Sequence, residues 1–186
     1  YTLSLHDALP ILTCGMARDL GKYFIRVNAV APGRVFTENE KNLQKNINPE
    51  DVKDALLVST FGGFLVGQAA ATLMVPKKRG TIFFTGASAG VKGFPMSATF
   101  AMGKFGLRGL AQSMARELHP QNIHVVHVVV DGGIRSPEKG RVETPEDESD
   151  KWLDPDAIAS TYWHLHTQHR SSWSWEIEVR PWVENF

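Results

Sequence analysis

The sequence has almost no cysteine: Cys14 is the only one in 186 residues. A lone cysteine can form neither an internal disulfide nor a cysteine-based metal cage, which is typical of proteins from a reducing compartment and favours a cytoplasmic location. The sequence also has no excess of either charge, because 20 basic residues balance 20 acidic ones. Overall attraction to nucleic acid or to an acidic membrane surface is therefore excluded as the basis of its function.

Long apolar runs are also scarce. No uninterrupted run approaches the roughly 20 apolar residues that a bilayer requires, so we expect no membrane span. No basic stretch followed by an apolar core opens the sequence, so we expect no signal peptide. Residues 1–11 show neither a helical nor a strand period and resemble translated adaptor sequence, so we leave them out of the fold. The length of the remainder suits one domain.

A strand–helix–strand pattern organises the chain. The apolar run at 81–85 ends at Gly86, where a small-residue loop leads into a helix over 98–118. The apolar residues of this helix recur at helical spacing. A second apolar run, 123–130, follows the helix and stops at Asp131. Two short strands that are apolar on both faces, joined by a crossover helix, predict a parallel sheet of the doubly wound α/β kind.

Two parts of the sequence repeat one helix–strand–loop element. The letters MARDL at 16–20 match MAREL at 114–118, and an apolar run follows each of them. Two copies are too few for a solenoid, which needs at least three repeats. A splice between two related genes explains them better than an internal duplication. We therefore predict that 1–47 is an artefactual or spliced segment containing a strand at 24–31, and that 48–186 forms the domain.

Three further elements are predicted from caps and periodicity. A helix begins at Asn48, its cap, and runs to about Met74. Another begins at Asp154 and runs to about His166, and the alternating stretch 172–181 suits an edge strand. The residues expected on one face of that strand are Trp173, Trp175, Ile177 and Val179.

Together these elements resemble the carboxy-terminal two-thirds of a short-chain dehydrogenase/reductase, over about residues 49–186. The resemblance implies an α/β fold: a partial Rossmann-type doubly wound parallel sheet that is missing the first strands. On this match 81–85, 123–130 and 175–180 are the fifth, sixth and seventh strands. The family's glycine-rich loop, which holds the cofactor pyrophosphate at a helix N-terminus, has no counterpart here. We therefore expect this chain to bind NAD or NADP weakly or not at all.

The resemblance also places the family's catalytic positions. The family uses a tyrosine with a lysine four residues later on the same helical face, where the ammonium lowers the pKa of the phenol and holds the nicotinamide ribose. Here Phe100 replaces the tyrosine and Lys104 is present. The family's serine falls on Ala87, with Ser88 beside it, and its helix asparagine falls on Ser59. Ser88 and Lys104 are the catalytic candidates, against the alternatives of a loop serine that caps its own backbone and a solvated lysine.

A second cofactor contact is implied after the sixth strand. Residues 132–136 align with a family loop whose backbone and hydroxyl meet the nicotinamide carboxamide, although Asp131 replaces its proline. We expect cofactor contacts from Gly132, Ile134 and Ser136, in addition to Lys104. The partner implied is a small-molecule carbonyl or alcohol substrate, with no nucleic acid and no membrane, and homo-oligomer formation stays open.

Other motifs have competing interpretations. Residues 85–93 could be the family's first phosphate-binding loop, but Lys92 stands where its last glycine belongs and Pro95 delays the helix. His164 and His166 lie two apart on a helix and face different directions, so surface histidines are favoured over a metal site. Edge-strand packing or a subunit contact is the interpretation for Trp173, Trp175 and Trp182.

Two functions of different classes remain open. The first is an NAD(P)-dependent oxidoreductase of this family, whose longer parent transfers hydride to or from a carbonyl or alcohol. The second is a non-catalytic Rossmann-type module for binding or oligomerisation. The resemblance favours the first, whereas Phe100 and Ala87 favour the second for this chain.

Overall fold

The computed structural model describes residues 47–143 and 149–184. The predicted strand at 24–31 lies outside the described residues. The elements in chain order are α1 (Pro49–Ala55), a π-helical turn (Leu56–Phe61), α2 (Gly62–Met74), β1 (Thr81–Thr85), α3 (Ala98–Leu118), β2 (His124–Val130), α4 (Pro155–Thr167) and β3 (Glu176–Val179).

The first three elements form one continuous helical span. The side chain of Asn48 accepts a hydrogen bond from the backbone N–H of Glu50 at 3.1 Å, which confirms the predicted cap. Asp154 caps α4 in the same way. Glycines bring α2 close to its neighbours, since a Cβ on Gly63 would lie 2.5 Å from Leu107 of α3. A side chain there would push the two helices apart.

The three strands form one parallel sheet in the order β1–β2–β3. Thr81 to Thr85 of β1 pair with His124 to Val128 of β2. His127 to Val130 of β2 pair with Glu176 to Val179 of β3. With α3 as the crossover between the first two strands, the predicted α/β sheet is confirmed. β1 and β2 lie within about a residue of their expected bounds, whereas β3 is shorter than the predicted stretch 172–181.

Helices cover both faces of this sheet, which makes the fold doubly wound. Alternate residues of each strand point to opposite faces. The face under α2 and α3 holds a core of Ala70, Ile82, Phe84, Leu107, Ala111, Ala115, Leu118, Ile123 and Val125. The face under α4 holds a second core of Val126, Val128 and Leu165, with Phe83, Tyr162, Ile177 and Val179 packed against it.

The predicted edge strand needs a correction. Ile177 and Val179 pack against the α4 core, but Trp175 packs against the α2–α3 core. The expectation that Trp175 shares their face was wrong, because β3 begins only at Glu176 and the alternation does not extend before it.

One helical span among the described residues, Pro49–Lys77, is long and apolar enough to cross a membrane by length and composition alone. The expectation of no membrane span considered uninterrupted runs only, and scattered polar residues break the run here without making the helix polar on average. A core helix of a soluble protein passes the same test when it is mostly buried, whereas 22% of this window is buried. The large apolar side chains that this span leaves exposed are Leu56, Leu57, Val58, Phe61, Phe64, Leu65 and Leu73.

Candidate active site

The carboxyl ends of parallel strands meet at one edge of a sheet, where ligands bind in open α/β folds. Here β1 ends at Thr85, β2 at Val130 and β3 at Val179. The loop after β1 makes only a short 3₁₀ turn, Ser88–Gly90, and α3 begins later, at Ala98. This delay disfavours the phosphate-loop interpretation, which needs a helix at once.

Lys104 is the buried charge at this edge. Its side chain projects from α3, the residue is 4% exposed, and Nζ donates a hydrogen bond to the backbone oxygen of Thr85 at 3.0 Å. Burial lowers the pKa of Lys104 to about 8, because a poorly hydrated site disfavours the charged ammonium. A solvated helix lysine, the alternative interpretation, does not fit this environment.

Phe100 lies one helical turn before Lys104 on the same face of α3. The Lys104 ammonium nitrogen is 5.7 Å from the centre of the Phe100 ring, which is the i, i+4 geometry that the tyrosine–lysine pair requires. The ring therefore occupies the expected place next to the lysine. It lacks the hydroxyl that would exchange a proton.

Tyr162 does not replace the missing phenol. It is the one tyrosine among the described residues, and its hydroxyl lies 2.7 Å from the Thr85 hydroxyl. Tyr162 belongs to α4, so it approaches β1 from the face opposite Lys104. Burial raises the pKa of Tyr162 to about 12, the reverse of what proton exchange near neutral pH needs.

Asp131 joins the loops that follow all three strands. It is 4% exposed and lies directly after β2. Lys92, from the loop after β1, donates to Asp131 at 3.2 Å, and Arg180, directly after β3, donates at 2.6 Å. Ser88, in the loop after β1, also lies close enough to this carboxylate to help lower its pKa. We call these four residues the edge cluster; Asp131 was noticed in the sequence only as a replaced proline.

The charge of Asp131 decides what Ser88 can do. Burial alone would raise the pKa of Asp131, but hydrogen bonds from Lys92, Arg180 and Ser88 bring it below its ordinary value. Asp131 is therefore a carboxylate at neutral pH. A Ser88 hydroxyl that donates to this carboxylate cannot donate the same proton to a substrate carbonyl.

The three residues expected to contact nicotinamide are spread along one loop. Gly132 has a φ of +149°, and a Cβ there would lie 2.7 Å from Pro181, so this close approach requires glycine. Ile134 is exposed. The Ser136 hydroxyl donates to Glu138 at 2.8 Å, so its hydrogen is engaged within its own turn.

A second ionic cluster lies where α3 meets the sheet. Nε and Nη2 of Arg108 donate to Glu176 at 2.6 and 2.8 Å, and Nδ1 of His127 lies 2.9 Å from the same carboxylate. We call Arg108, Glu176 and His127 the inner cluster. None of them was predicted. Two features of the sequence could have pointed to them: a histidine inside an apolar strand, and an arginine one helical turn after Lys104.

Burial and pairing oppose each other in this inner cluster. Burial lowers the pKa of His127, although the Glu176 carboxylate counteracts it. Burial alone would raise the pKa of Glu176, but hydrogen bonds from Arg108 and His127 bring it below its ordinary value. The cluster therefore holds a neutral imidazole between a carboxylate and the region of Lys104.

Ser59, which the resemblance aligns with the family's asparagine, is buried in the π-helical turn. A Cβ on Gly103 would lie 3.0 Å from its hydroxyl oxygen. Ser59 therefore packs against α3 beside the residue that precedes Lys104. π-Helical turns often occur at functional sites.

The remaining sequence candidates are structural. His164 is exposed, but His166 is half-buried and its Nδ1 lies 2.9 Å from the Thr81 hydroxyl, so its interpretation as a surface histidine was wrong. Trp173 stacks on the buried His124 ring at 4.6 Å, and Trp182 is largely exposed.

Comparison with known proteins agrees with this fold. The family model described as short chain dehydrogenase matches residues 41–146. A 3-oxoacyl-[acyl-carrier-protein] reductase from Bos taurus is 30% identical over 119 residues, which are 64% of this chain and 47% of the bovine protein.

Solved structures show the same fold. A short-chain dehydrogenase from Rhodopseudomonas palustris is 36% identical with a TM-score of 0.61, over 76% of this chain and 57% of that one. A metagenomic short-chain oxidoreductase in complex with NADP is 24% identical with a TM-score of 0.65, over 92% and 69%. The second likeness shows the fold alone.

The chain spans about half the length of the bovine reductase and of the Rhodopseudomonas palustris dehydrogenase. The matched region nevertheless includes β1, α3 and β2, together with Lys104 on α3 and Ser88 and Asp131 in the loops after β1 and β2. On this match and this fold, the chain belongs to the short-chain dehydrogenase family.

Proposed function

We propose that residues 48–186 are the carboxy-terminal part of an NAD(P)-dependent oxidoreductase that transfers hydride to or from a small-molecule carbonyl or alcohol. The observation that carries this proposal is Lys104. Its buried ammonium lies at the carboxyl edge of the sheet, one turn from the position of the family's tyrosine. Residues 1–47 are proposed to be foreign to this domain.

The nicotinamide cofactor would supply or accept the hydride. Some residues of this chain are placed to contact the nicotinamide end of the cofactor. The Lys104 ammonium has three N–H donors and gives one to Thr85, which leaves donors for ribose hydroxyls. The loop containing Gly132 and Ile134 would lie against the ring, whereas the Ser136 hydroxyl would first have to leave Glu138.

The proton for the substrate oxygen must come from a group other than Phe100. Lys104 is the group we propose, because its pKa of about 8 lies close to neutral pH. Ser88 is proposed to direct its hydrogen at the nearby Asp131 carboxylate and to orient the substrate through its oxygen. The parent enzyme would then work without a catalytic phenol.

Activity of the natural full-length protein tests the proposal. NADH or NADPH oxidation would be followed with a panel of aldehydes and ketones, and Lys104→Met should lose about 10²-fold or more in rate. Phe100→Tyr should gain about 10² to 10⁴-fold, because Lys104 would depress the pKa of the new phenol. An unchanged rate in both variants, with cofactor binding demonstrated, would show that the parent uses other chemistry or none.

Cofactor binding by the 186-residue chain is a separate test. Without the glycine-rich loop we expect weak binding or none by isothermal titration calorimetry. A dissociation constant in the micromolar range or tighter would contradict the expectation. It would mean that the nicotinamide end binds well without the pyrophosphate site.

A second candidate function is a non-catalytic module for binding or homo-oligomer assembly. Phe100 favours it, and so does the exposed apolar surface of the span Pro49–Lys77, where Leu57, Phe61 and Phe64 are all more than 40% exposed. Apolar surfaces of this kind are typical of interaction sites. Light scattering of Phe61→Glu and Phe64→Glu would test it; an oligomer that persists in both variants would exclude this surface as the contact.

A further inference from the structure

The Lys104 ammonium has three N–H donors but one hydrogen-bond acceptor among the described residues. It is 4% exposed, so water does not surround it, and its hydrogen bond among the described residues is the one to Thr85. An ammonium offers three N–H donors. A buried donor without an acceptor destabilises the fold, so a further acceptor is expected nearby.

The nearest part of the inner cluster offers such an acceptor. His127 is fully buried, and its Nδ1 faces the Glu176 carboxylate at 2.9 Å. A carboxylate only accepts, so Nδ1 carries the hydrogen and Nε2 carries the lone pair. Nε2 has no hydrogen-bond partner among the residues that the structure describes.

The Lys104 ammonium and His127 Nε2, each of which could form a further hydrogen bond, lie beside consecutive residues at the end of β1. Lys104 bonds the backbone oxygen of Thr85, and His127 Nε2 fills the space beside the next residue, where a Cβ on Gly86 would lie 2.2 Å away. The charged groups that act on the His127 imidazole are Glu176 on β3 and Arg108 and Lys104 on α3. The donor and the acceptor are therefore close enough to influence each other.

We propose that His127 is a positioning residue for Lys104, with its Nε2 accepting a hydrogen bond from the ammonium through one bridging water. Glu176 fixes the imidazole tautomer, and Arg108 fixes Glu176. The contacts therefore lead from Arg108 on α3 to Glu176 on β3, then to His127 on β2, and back to Lys104, one turn before Arg108 on α3. The inference rests on the proposed function, which gives Lys104 its role, but the coupling between the two side chains is measurable without turnover.

Two substitutions distinguish the roles of the two ring nitrogens of His127. Asparagine can keep a donor for Glu176 near the place of Nδ1 but has no acceptor at the place of Nε2. Glutamine can keep an acceptor at the place of Nε2 but loses the donor to Glu176. The pKa of Lys104 is read in the 186-residue chain by competitive acetylation across pH, with mass spectrometry of the Lys104 peptide.

An acceptor on the ammonium favours its charged form. We therefore expect His127→Asn to lower the Lys104 pKa by about half a unit or more, and His127→Gln to leave it near the wild-type value. The matched control is His124→Asn, which changes a buried histidine of the same strand whose Nε2 bonds Ser174 instead. A Lys104 pKa that stays the same or rises in His127→Asn would overturn the proposal.

A measurement on the unmodified chain covers the case in which a variant does not fold. Nitrogen NMR of His127 should show a hydrogen on Nδ1 and a bare Nε2 at neutral pH. A hydrogen on Nε2 would make it a donor and would overturn the proposal directly. An absence of turnover in the parent, with the coupling intact, would instead count against the proposed function alone.

Discussion

The edge cluster and the inner cluster each place one carboxylate between two basic groups, yet they differ in what they connect. Asp131 joins three loops beyond the ends of the strands, and one of its partners, Lys92, is 37% exposed. Glu176 joins α3 to the sheet, and one of its partners, His127, is fully buried. A carboxylate thus holds loops together in the edge cluster, whereas in the inner cluster it holds a helix to the sheet.

The difference shows that solvent exposure decides how much an ion pair contributes to stability. A half-exposed pair is screened by water and contributes little, whereas a buried group that loses its partner keeps the whole cost of desolvation. We therefore expect the inner cluster to be sensitive to small changes in shape. The edge cluster should respond mainly to pH and should tolerate the loss of its exposed lysine.

The largest expected effect comes from Gly86→Ala. A Cβ there would lie 2.2 Å from His127 Nε2, so the imidazole must leave Glu176. We expect a loss of at least about 3 kcal/mol in the free energy of unfolding, measured by urea denaturation. Gly109→Ala is the control, because nothing lies within 4 Å of its added Cβ in α3. It should stabilise by about 0.5 to 1 kcal/mol, and equal effects of the two changes would contradict the packing described here.

The second effect is the titration of Lys104. Its folded pKa, about 8, is below the ordinary 10.5, so the unfolded chain binds more protons between these values and stability rises with pH across that window. Relative to Lys104→Met, the wild-type unfolding free energy should increase from pH 8 to 10.5 by up to roughly 3 kcal/mol. Parallel curves for the two proteins would mean that Lys104 is solvated.

Asp131→Asn should cost about 2 kcal/mol at pH 7, through the loss of charged hydrogen bonds. Because the folded pKa of Asp131 is below its ordinary 3.8, its contribution is complete above about pH 4 and disappears as pH falls through the folded value. Urea denaturation at pH 7 and pH 3 should therefore show a smaller difference from wild type at pH 3. Glu117→Gln, an exposed change on α3, is the control, and a pH-independent difference for Asp131→Asn would refute the carboxylate assignment.

Lys92→Gln should have the smallest effect, about 0 to 1 kcal/mol, because Lys92 is partly exposed and Arg180 still pairs with Asp131. Lys53→Gln removes a fully solvated ion pair with Glu50 and serves as the comparison. If Lys92→Gln destabilised as strongly as Asp131→Asn, Lys92 rather than Arg180 would be the main partner of the carboxylate.

The strands and helices of the described region could be read from the sequence because each has a local cause. Asn48 and Asp154 cap their helices through their own side chains. The apolar runs at 81–85 and 123–130 have no solvated face, and this predicts strands covered on both sides. The i, i+4 spacing likewise placed Phe100 next to Lys104 before any fold was known.

The site was less predictable, because its contacts join residues far apart in the chain. Asp131 and Arg180 are separated by 49 positions, as are His127 and Glu176. No local pattern states that they meet. The burial that lowers the pKa of Lys104 also depends on the loop after β1, the sheet and α3 closing around one side chain.

The sequence by itself determined the kind of fold, the order of its strands along the chain and the presence of Phe100 one turn before Lys104, because periodicity, caps and residue identity are local properties. Only the tertiary structure decided that Lys92 and Arg180 donate to Asp131 and that His127 points an unpaired nitrogen at Gly86. The physical reason is that parallel strands bring their carboxyl ends together regardless of how much chain separates them. The chemistry at that edge therefore depends on contacts that exist only in the folded protein.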